Sequence, residues 1–394
     1  MENGAFAVGP SRHLRIFPLP GSSYALHPLR AYNFSAGPAS LPEEVLLELR
    51  DELPTYPGLG AALFEVSHRS KPYAAVHDSA VDALRRLLGL EEDWHVLFLT
   101  GGASMQFYQV PLNLLGSGQT AAYVNTGVWA TKAIAEAQKV ASVRGAELRV
   151  AASSESTGFD RIPDPALWDM PRGAAYLHFT SNNTIYGTEL LDDVHAGSIP
   201  VVCDASSDFL SRPLDTTRYS MLYAGAQKNL GPAGVALVLL RDDLLRNRPV
   251  SLQTGLPAML DYASHTGALY NTPPALSVYL TEKVLRWIER QGGLAEMDRR
   301  AAARAGLLYE RIDRTDFYRG TAAPAWRSRM NVTFRLPSEE LEAAFLKESE
   351  RRGMIGLKGY RTVGGIRASL YNAMPQEGVE ALVALMDDFE ARMG

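Results

Sequence analysis

Lys228 lies in Tyr223-Ala224-Gly225-Ala226-Gln227-Lys228-Asn229-Leu230-Gly231-Pro232-Ala233-Gly234, a run of small and apolar residues between two apolar segments. A lysine enclosed by such neighbours is costly unless its amine loses the proton or is used covalently. A neutral amine is what Schiff-base chemistry needs. The other lysines, among them Lys71, Lys132 and Lys347, mostly sit in polar stretches of helix. Asp204 directly follows Val201-Val202-Cys203. A carboxylate that ends a buried strand must be paired or hydrogen-bonded. Thr100-Gly101-Gly102-Ala103-Ser104 joins a strand pattern to a helix pattern. Its small residues admit a ligand to the backbone, and the helix N-terminus offers free N–H groups and a positive dipole end, which suits a phosphate. It lacks the Gly-Lys-Ser/Thr ending of a P-loop and is not G-x-G-x-x-G. Trp129, just after a strand-ending turn, offers a flat ring for stacking.

Each feature alone has a plainer use, as a turn, a cap, a solvated charge or core packing. Together they describe a pyridoxal-phosphate site. They supply a phosphate cradle, a stacking aromatic, a carboxylate for the pyridinium nitrogen and a Schiff-base lysine 24 residues after it (228 − 204).

Such groups need strand ends to hold them. Val96–Leu99 is a short continuous apolar run, as in a strand buried on both faces. Ala121–Val124 repeats the plan, with Asn125-Thr126-Gly127 as its turn. Further strands are predicted at Ala174–Phe179, Ile199–Cys203, Met221–Tyr223 and Val235–Leu240. A helix opens at Pro72, with Val76, Ala80, Ala83, Leu84 and Leu87 at helical spacing, and stops at Gly89. Ser40-Leu41-Pro42-Glu43 reads as a capping box for a helix through Val45, Leu46 and Leu49. Strands alternating with helices argue for an α/β fold with a mostly parallel sheet covered on both faces. Ligands bind beyond the carboxyl ends of such strands. After about residue 275 come long helices at Leu276–Arg290 and Leu294–Ile312, a strand at Asn331–Arg335, a helix near Ser338–Arg351, a strand at Ile366–Ser369 and a closing helix. We divide the chain into a flexible extension over 1–31, an N-terminal segment over 32–45, a large cofactor-binding domain over 46–288 and a small C-terminal α/β domain over 289–394.

The 394 residues are 46% hydrophobic and 21% charged, which excludes a disordered chain, a coiled coil and a disulfide scaffold. A net charge of −5, from 39 Lys and Arg against 44 Asp and Glu, argues against nucleic acid as a partner. Cys203 is the only cysteine, so no intrachain disulfide and no thiolate metal cluster can form, and no metal is expected. No apolar run has the length of a membrane span. The cytoplasm is the expected compartment.

The sequence closely resembles the phosphoserine aminotransferase family, in the class-V branch of fold-type-I pyridoxal-phosphate enzymes. The resemblance rests on Asn33-Phe34-Ser35-Ala36-Gly37-Pro38-Ala39, Glu65-Val66-Ser67-His68-Arg69, Pro111-Leu112-Asn113-Leu114, Asp204-Ala205-Ser206-Ser207, Ser211-Arg212-Pro213 and the Lys228 run. It continues through Asn271-Thr272-Pro273-Pro274, Ser328-Arg329-Met330-Asn331-Val332, Val363-Gly364-Gly365-Ile366-Arg367-Ala368-Ser369 and Tyr371-Asn372-Ala373-Met374-Pro375. It runs from about residue 32 to the end. It implies that Lys228 bonds covalently to the cofactor, Asp204 holds the ring nitrogen protonated, Trp129 stacks on the ring and Thr184 bonds the ring hydroxyl. The backbones of Ala103 and Ser104, with Ser206 and Gln227, hold the cofactor phosphate. Asn271 and Thr272 reach that phosphate from the second subunit of a homodimer. His68 and Arg69, also across the dimer, bind the substrate phosphate with Arg361, and Arg367 holds the α-carboxylate. The implied reaction converts O-phospho-L-serine and 2-oxoglutarate to 3-phosphooxypyruvate and L-glutamate in serine synthesis, with 4-phosphohydroxy-L-threonine as a further substrate in pyridoxine synthesis.

Forked, always-charged arginine donors suit both carboxylate and phosphate. Two departures from the family stand out. Ala103-Ser104 replaces a Gly-Arg pair of some members, and Tyr360 replaces a histidine that can become cationic near neutral pH. Three alternatives differ in what they require. A class-V transaminase for unphosphorylated serine or alanine has no use for His68, Arg69 and Arg361. A cysteine desulfurase needs a cysteine on a mobile loop, and Cys203 sits in a strand pattern. A non-catalytic binding protein on the same fold need not keep Lys228.

Overall fold

The computed structural model describes residues 30–267 and 269–394. The flexible extension expected over 1–31 lies outside the described residues except for Arg30 and Ala31. Arg30 already donates to the Leu41 carbonyl at 2.5 Å.

A seven-stranded sheet forms the centre of the larger unit. Its order is Trp94–Thr100, Val235–Arg241, Met221–Gly225, Val201–Asp204, Leu177–Thr180, Thr120–Asn125 and Glu147–Ser153. Val235–Arg241 runs antiparallel to both neighbours, and the remaining pairs are parallel. Six carboxyl ends therefore share one edge. Successive side chains point to opposite faces. Leu97, Leu99, Tyr123, Val202, Tyr223 and Val238 enter one core, while Phe98, Val124, Cys203, Leu222, Leu237 and Leu239 enter the other. Both faces are covered, which is why Val235–Leu240 is apolar without alternation.

The helices begin and end as their residues dictate. In Lys71–Leu88, Ser70 accepts from the Tyr73 amide and Pro72 occupies the first turn. Gly89 closes it at φ 62°, in the left-handed region that favours glycine. Tyr73, Ala80, Ala83 and Leu84 form its buried stripe; each large apolar side chain contributes about 1.5–3 kcal/mol by leaving water. Ala103–Leu114 and Val128–Arg144 start within a few residues of their strands.

A smaller unit follows. Arg319–Gly320, Asn331–Arg335 and Ile366–Ser369 make an antiparallel sheet, flanked by helices Gly293–Asp313, Glu339–Arg351 and Gln376–Met393. Phe334 and Phe345 meet edge to face in its core, with centroids 6.2 Å apart. Helix Gly293–Asp313 joins the units: Leu294 and Met297 enter the large core, Leu308 and Ile312 the small one. Near the N-terminus, Tyr32–Asn33 pairs in parallel with Met354–Ile355 and Phe34 enters the small core.

Several expectations are corrected. The capping box at Ser40 is not formed. The helix starts at Glu43 after Pro42, with no side-chain cap, and the Ser40 hydroxyl donates instead to the Asn33 carbonyl at 3.2 Å. Ser40 lies too far before the first turn to reach it. The strand expected over Ala174–Phe179 is Leu177–Thr180, and that expected over Ile199–Cys203 is Val201–Asp204, so Asp204 is a strand residue. The edge strand Glu147–Ser153 is unforeseen, because its Glu147, Arg149 and Ser153 break the apolar pattern.

Candidate active site

The catalytic candidates collect along the shared carboxyl edge. Asp204 ends its strand and is 3% exposed. Its Oδ1 accepts from the Ser206 amide at 3.0 Å and the Ser206 hydroxyl at 2.5 Å. Oδ2 has no protein donor among the described residues. Burial raises the Asp204 pKa, while the Ser206 hydrogen bonds and the Lys228 charge oppose the rise.

Lys228 follows the neighbouring strand, Met221–Gly225. The chain there closes on itself, with the Leu230 and Gly231 amides both donating to the Ala226 carbonyl. The compact turn holds Lys228 half-buried. Burial pulls its amine down to about 8; Asp204 and Asp208 resist this, and the Arg367 charge adds to it. Its Nζ lies 6.0 Å from the centre of the Trp129 ring. Trp129, in the first turn of Val128–Arg144, donates from Nε1 to the Thr184 hydroxyl at 3.0 Å. Thr184 in turn offers its carbonyl to Arg367 Nη1 at 3.4 Å. Lys228, Asp204, Trp129, Thr184 and Arg367 thus form one cluster, drawn from strand ends far apart in sequence.

Ala103 and Ser104 open the Ala103–Leu114 helix after Gly102, which provides no side-chain cap. Their amides have no acceptor among the described residues. The Gly101 amide donates to the Gly234 carbonyl at 3.3 Å, tying this cradle to the loop after Lys228. Gln227 lies over Gly225, where an added Cβ would come within 2.7 Å of its Oε1. Ser206 differs from expectation. Its hydroxyl proton is directed at Asp204, so in this structure it supports the carboxylate rather than offering a donor to a phosphate.

Arg367 is half-buried, forms no ion pair among the described residues and leaves a buried Nε without a partner. Burial lowers its pKa, and nearby Tyr371 and Tyr360 oppose this. Arg361 is exposed on a turn in which the Val363 and Gly364 amides donate to the Tyr360 carbonyl. His68 and Arg69 lie elsewhere, with Arg69 Nε donating to His68 Nε2 at 3.4 Å. His68 lines a cavity of about 290 Å³ with His77, His265, Tyr270 and Asn271; neither Lys228 nor Asp204 lines it. Asn271 donates to Thr100 of its own chain at 3.4 Å, and Thr272 is exposed.

Sequence reasoning passed over a buried polar layer behind the cluster. Ser181 donates to Asp208 at 2.6 Å, and Glu189 accepts from the Arg329 amide at 2.6 Å. Burial, reinforced by Glu189, pushes Asp208 up to about 7. The available signal was a second carboxyl in Asp204-Ala205-Ser206-Ser207-Asp208, close behind a strand.

The set of donors and acceptors fits one kind of ligand. Unpaired amides at a helix N-terminus suit a phosphate. An indole face suits a flat ring, a free carboxylate oxygen suits a protonated ring nitrogen, and an amine of lowered pKa suits an aldehyde. An unpaired guanidinium beside them suits a carboxylate.

The family model described as Aminotransferase class-V matches residues 31–382. The chain belongs to the class-V aminotransferase family. A phosphoserine aminotransferase of Desulfosudis oleivorans is 50% identical over 368 residues, which cover 93% of this chain and 99% of that protein. The solved phosphoserine aminotransferase of Bacillus circulans subsp. alkalophilus matches with a TM-score of 0.89 and 47% identity, over 93% of this chain and 99% of that one. A solved pyridoxal-phosphate-bound phosphoserine aminotransferase of Trichomonas vaginalis matches with a TM-score of 0.85 and 36% identity, over 91% and 100%. The α/β fold expected for a class-V aminotransferase is thus the observed one. The lone thiol of this aminotransferase, Cys203, is 1% exposed within its strand. Burial raises its pKa well above the usual value, so it is no nucleophile for a desulfurase.

Proposed function

We propose that this class-V aminotransferase is a pyridoxal-phosphate-dependent phosphoserine aminotransferase. It interconverts O-phospho-L-serine and 2-oxoglutarate with 3-phosphooxypyruvate and L-glutamate, and accepts 4-phosphohydroxy-L-threonine as a second amino donor. The observation that carries this reading is the amine of Lys228, pulled down to about 8 between a buried carboxylate and an indole face, beside an arginine without a carboxylate partner.

When bound, pyridoxal phosphate supplies an aldehyde for the substrate amine and a ring that stabilises negative charge at the α-carbon. The chain's own residues do the rest. The amides of Ala103 and Ser104, with Gln227, hold the phosphate. Asp204 offers Oδ2 to the ring nitrogen while Ser206 fixes its Oδ1. Trp129 stacks on the ring and Thr184 bonds the ring hydroxyl. Arg367 grips the α-carboxylate of donor and acceptor alike, which orients the Cα–H bond. With the cofactor bound, the neutral Nζ of Lys228 would take the α-proton as general base and, as general acid, deliver it to the carbon of the cofactor's aldehyde group rather than back to the α-carbon.

The proposed assembly is a homodimer, in which a second copy contributes His68 and Arg69 to the substrate phosphate and Asn271 and Thr272 to the cofactor phosphate; Arg361 completes the substrate-phosphate site. In support, His68 and Asn271 share a cavity apart from Lys228, and Phe64, Tyr270 and Leu276 expose apolar surface that a second copy covers. No described helix is long and apolar enough to cross a membrane; the cytoplasm is the proposed location.

A coupled assay with phosphoserine and serine side by side tests the reading. Loss of the charge-assisted phosphate contacts of Arg69 and Arg361 alone lowers kcat/KM for serine by at least about a hundredfold. Equal turnover would instead support the transaminase for unphosphorylated amino acids.

A further inference from the structure

Asn182 lies two residues beyond the Leu177–Thr180 strand and is 1% exposed. Its Nδ2 donates to the Ser207 hydroxyl at 2.8 Å and to Asn331 Oδ1 at 2.7 Å. Its Oδ1 accepts from the Ser328 hydroxyl at 2.6 Å. Ser207 belongs to the loop after Asp204 and returns a hydrogen bond to the Asn182 carbonyl at 2.9 Å. Ser328 and Asn331 belong to the smaller unit. Asn331 continues the chain, donating to the Ser369 hydroxyl at 2.9 Å. Ser369 pairs with Asn331 in the same two-stranded ladder in which Arg367 pairs with Thr333. A continuous buried path of side-chain hydrogen bonds thus runs from the Asp204 loop, through the amides of Asn182 and Asn331, to the strand that carries Arg367.

Apolar side chains fill such a space at less desolvation cost. An amide with both N–H groups and its oxygen engaged adds direction, because a shift of either unit strands buried donors. We propose that Asn182 is a positioning residue for Arg367, holding its strand at a set distance from the Asp204 loop and so aligning the guanidinium with the substrate α-carboxylate. This rests on the reading above, in which Arg367 takes that carboxylate. The Asn182 side chain is fully engaged by Ser207, Asn331 and Ser328, which leaves it no donor for a ligand.

The test uses holoenzyme and two ligands, O-phospho-L-serine and O-phosphoethanolamine. The second keeps the amine and phosphate but has no carboxylate. Asn182→Ala weakens phosphoserine binding about tenfold, as expected when one charge-assisted hydrogen bond is misaligned. The inhibition constant of phosphoethanolamine stays within about twofold, and the bound-cofactor absorbance band is retained. Equal weakening of both ligands, or of neither, overturns the proposal. Arg367→Gln, run alongside, must show the same selectivity. If it does not, the carboxylate role of Arg367 is what fails. If it does while Asn182→Ala does not, Asn182 alone is refuted. Should Asn182→Ala not fold, Ser369→Ala, which removes one hydroxyl at the far end of the path, carries the same comparison, and an unselective result there is equally fatal.

Discussion

A lysine amine held near pKa 8 behaves unlike one in water, and the difference can be timed. Burial disfavours the ammonium of Lys228, and the carboxyls of Asp204 and Asp208 recover only part of that loss. At pH 7 about one amine in ten is neutral, against fewer than one in a thousand at an ordinary lysine. Capture of added pyridoxal phosphate by the apo-protein therefore speeds up between pH 7 and 8 and levels off above pH 9, read from absorbance in a rapid mixer. A rate still climbing about tenfold between pH 8 and 9 would mean an ordinary amine. In Lys228→Arg, borohydride reduction followed by peptide mapping finds no adduct on this segment. The residue types foretold this site well, because a lysine among small apolar neighbours and a carboxylate closing an apolar run are conspicuous. They did not foretell that the Ser206 hydroxyl turns to Asp204.

At the scale of elements, the join between the two units depends on a turn that tolerates no side chain. Gly187 has φ +73°, and a Cβ there would fall onto the Thr333 hydroxyl and within 2.9 Å of the Asn331 carbonyl. Its amide and carbonyl are both engaged, with Asn183 and Ser328. Gly173 has φ +69° but open space around it. Gly173→Ala should cost about 1 kcal/mol, from the left-handed backbone alone. Gly187→Ala should cost a further ~1–3 kcal/mol by overpacking. Urea unfolding midpoints compare the two; equal losses would show that the join yields easily. Strands with unbroken apolar runs, such as Val235–Leu240, were plain from the sequence, and so were helices with a clear stripe. The edge strand Glu147–Ser153 was not, because most of its side chains face solvent with only Ala151 buried, and only its parallel pairing with Thr120–Asn125 makes it a strand.

Across the whole molecule, two buried groups pull the acid stability in opposite directions. His178 is fully enclosed, bonded to Tyr223 through Nε2 at 2.8 Å, and burial lowers its pKa to about 3. The unfolded chain takes up a proton near pH 6.5 that the folded chain refuses, so this group removes stability as pH falls from 6.5 toward 3. Asp208 behaves oppositely. Its folded pKa is raised to about 7, so its contribution is fully present below pH 3.8 and is lost as pH rises through 7. The slope of unfolding free energy between pH 4 and 6.5 separates them. His178→Gln flattens the loss on acidification and Asp208→Asn steepens it, whatever either change does to stability at pH 7. Identical slopes in both variants and the parent would remove these groups from the acid response.

Local order and chemistry were written in residue type and spacing: alternating strands and helices, a buried-strand carboxylate, a lysine in a small-residue run, a glycine cradle at a helix start. These are short-range properties, set by side-chain volume, charge and backbone freedom over a few neighbours. Three-dimensional packing alone decided which strand ends meet, that Thr184 bridges Trp129 and Arg367, and that Asn182 bonds both to Ser207 in the large unit and to Asn331 in the small one. Such contacts join residues up to about 180 positions apart. No local pattern encodes them, because a hydrogen bond between distant segments forms only after burial of apolar surface has brought them together.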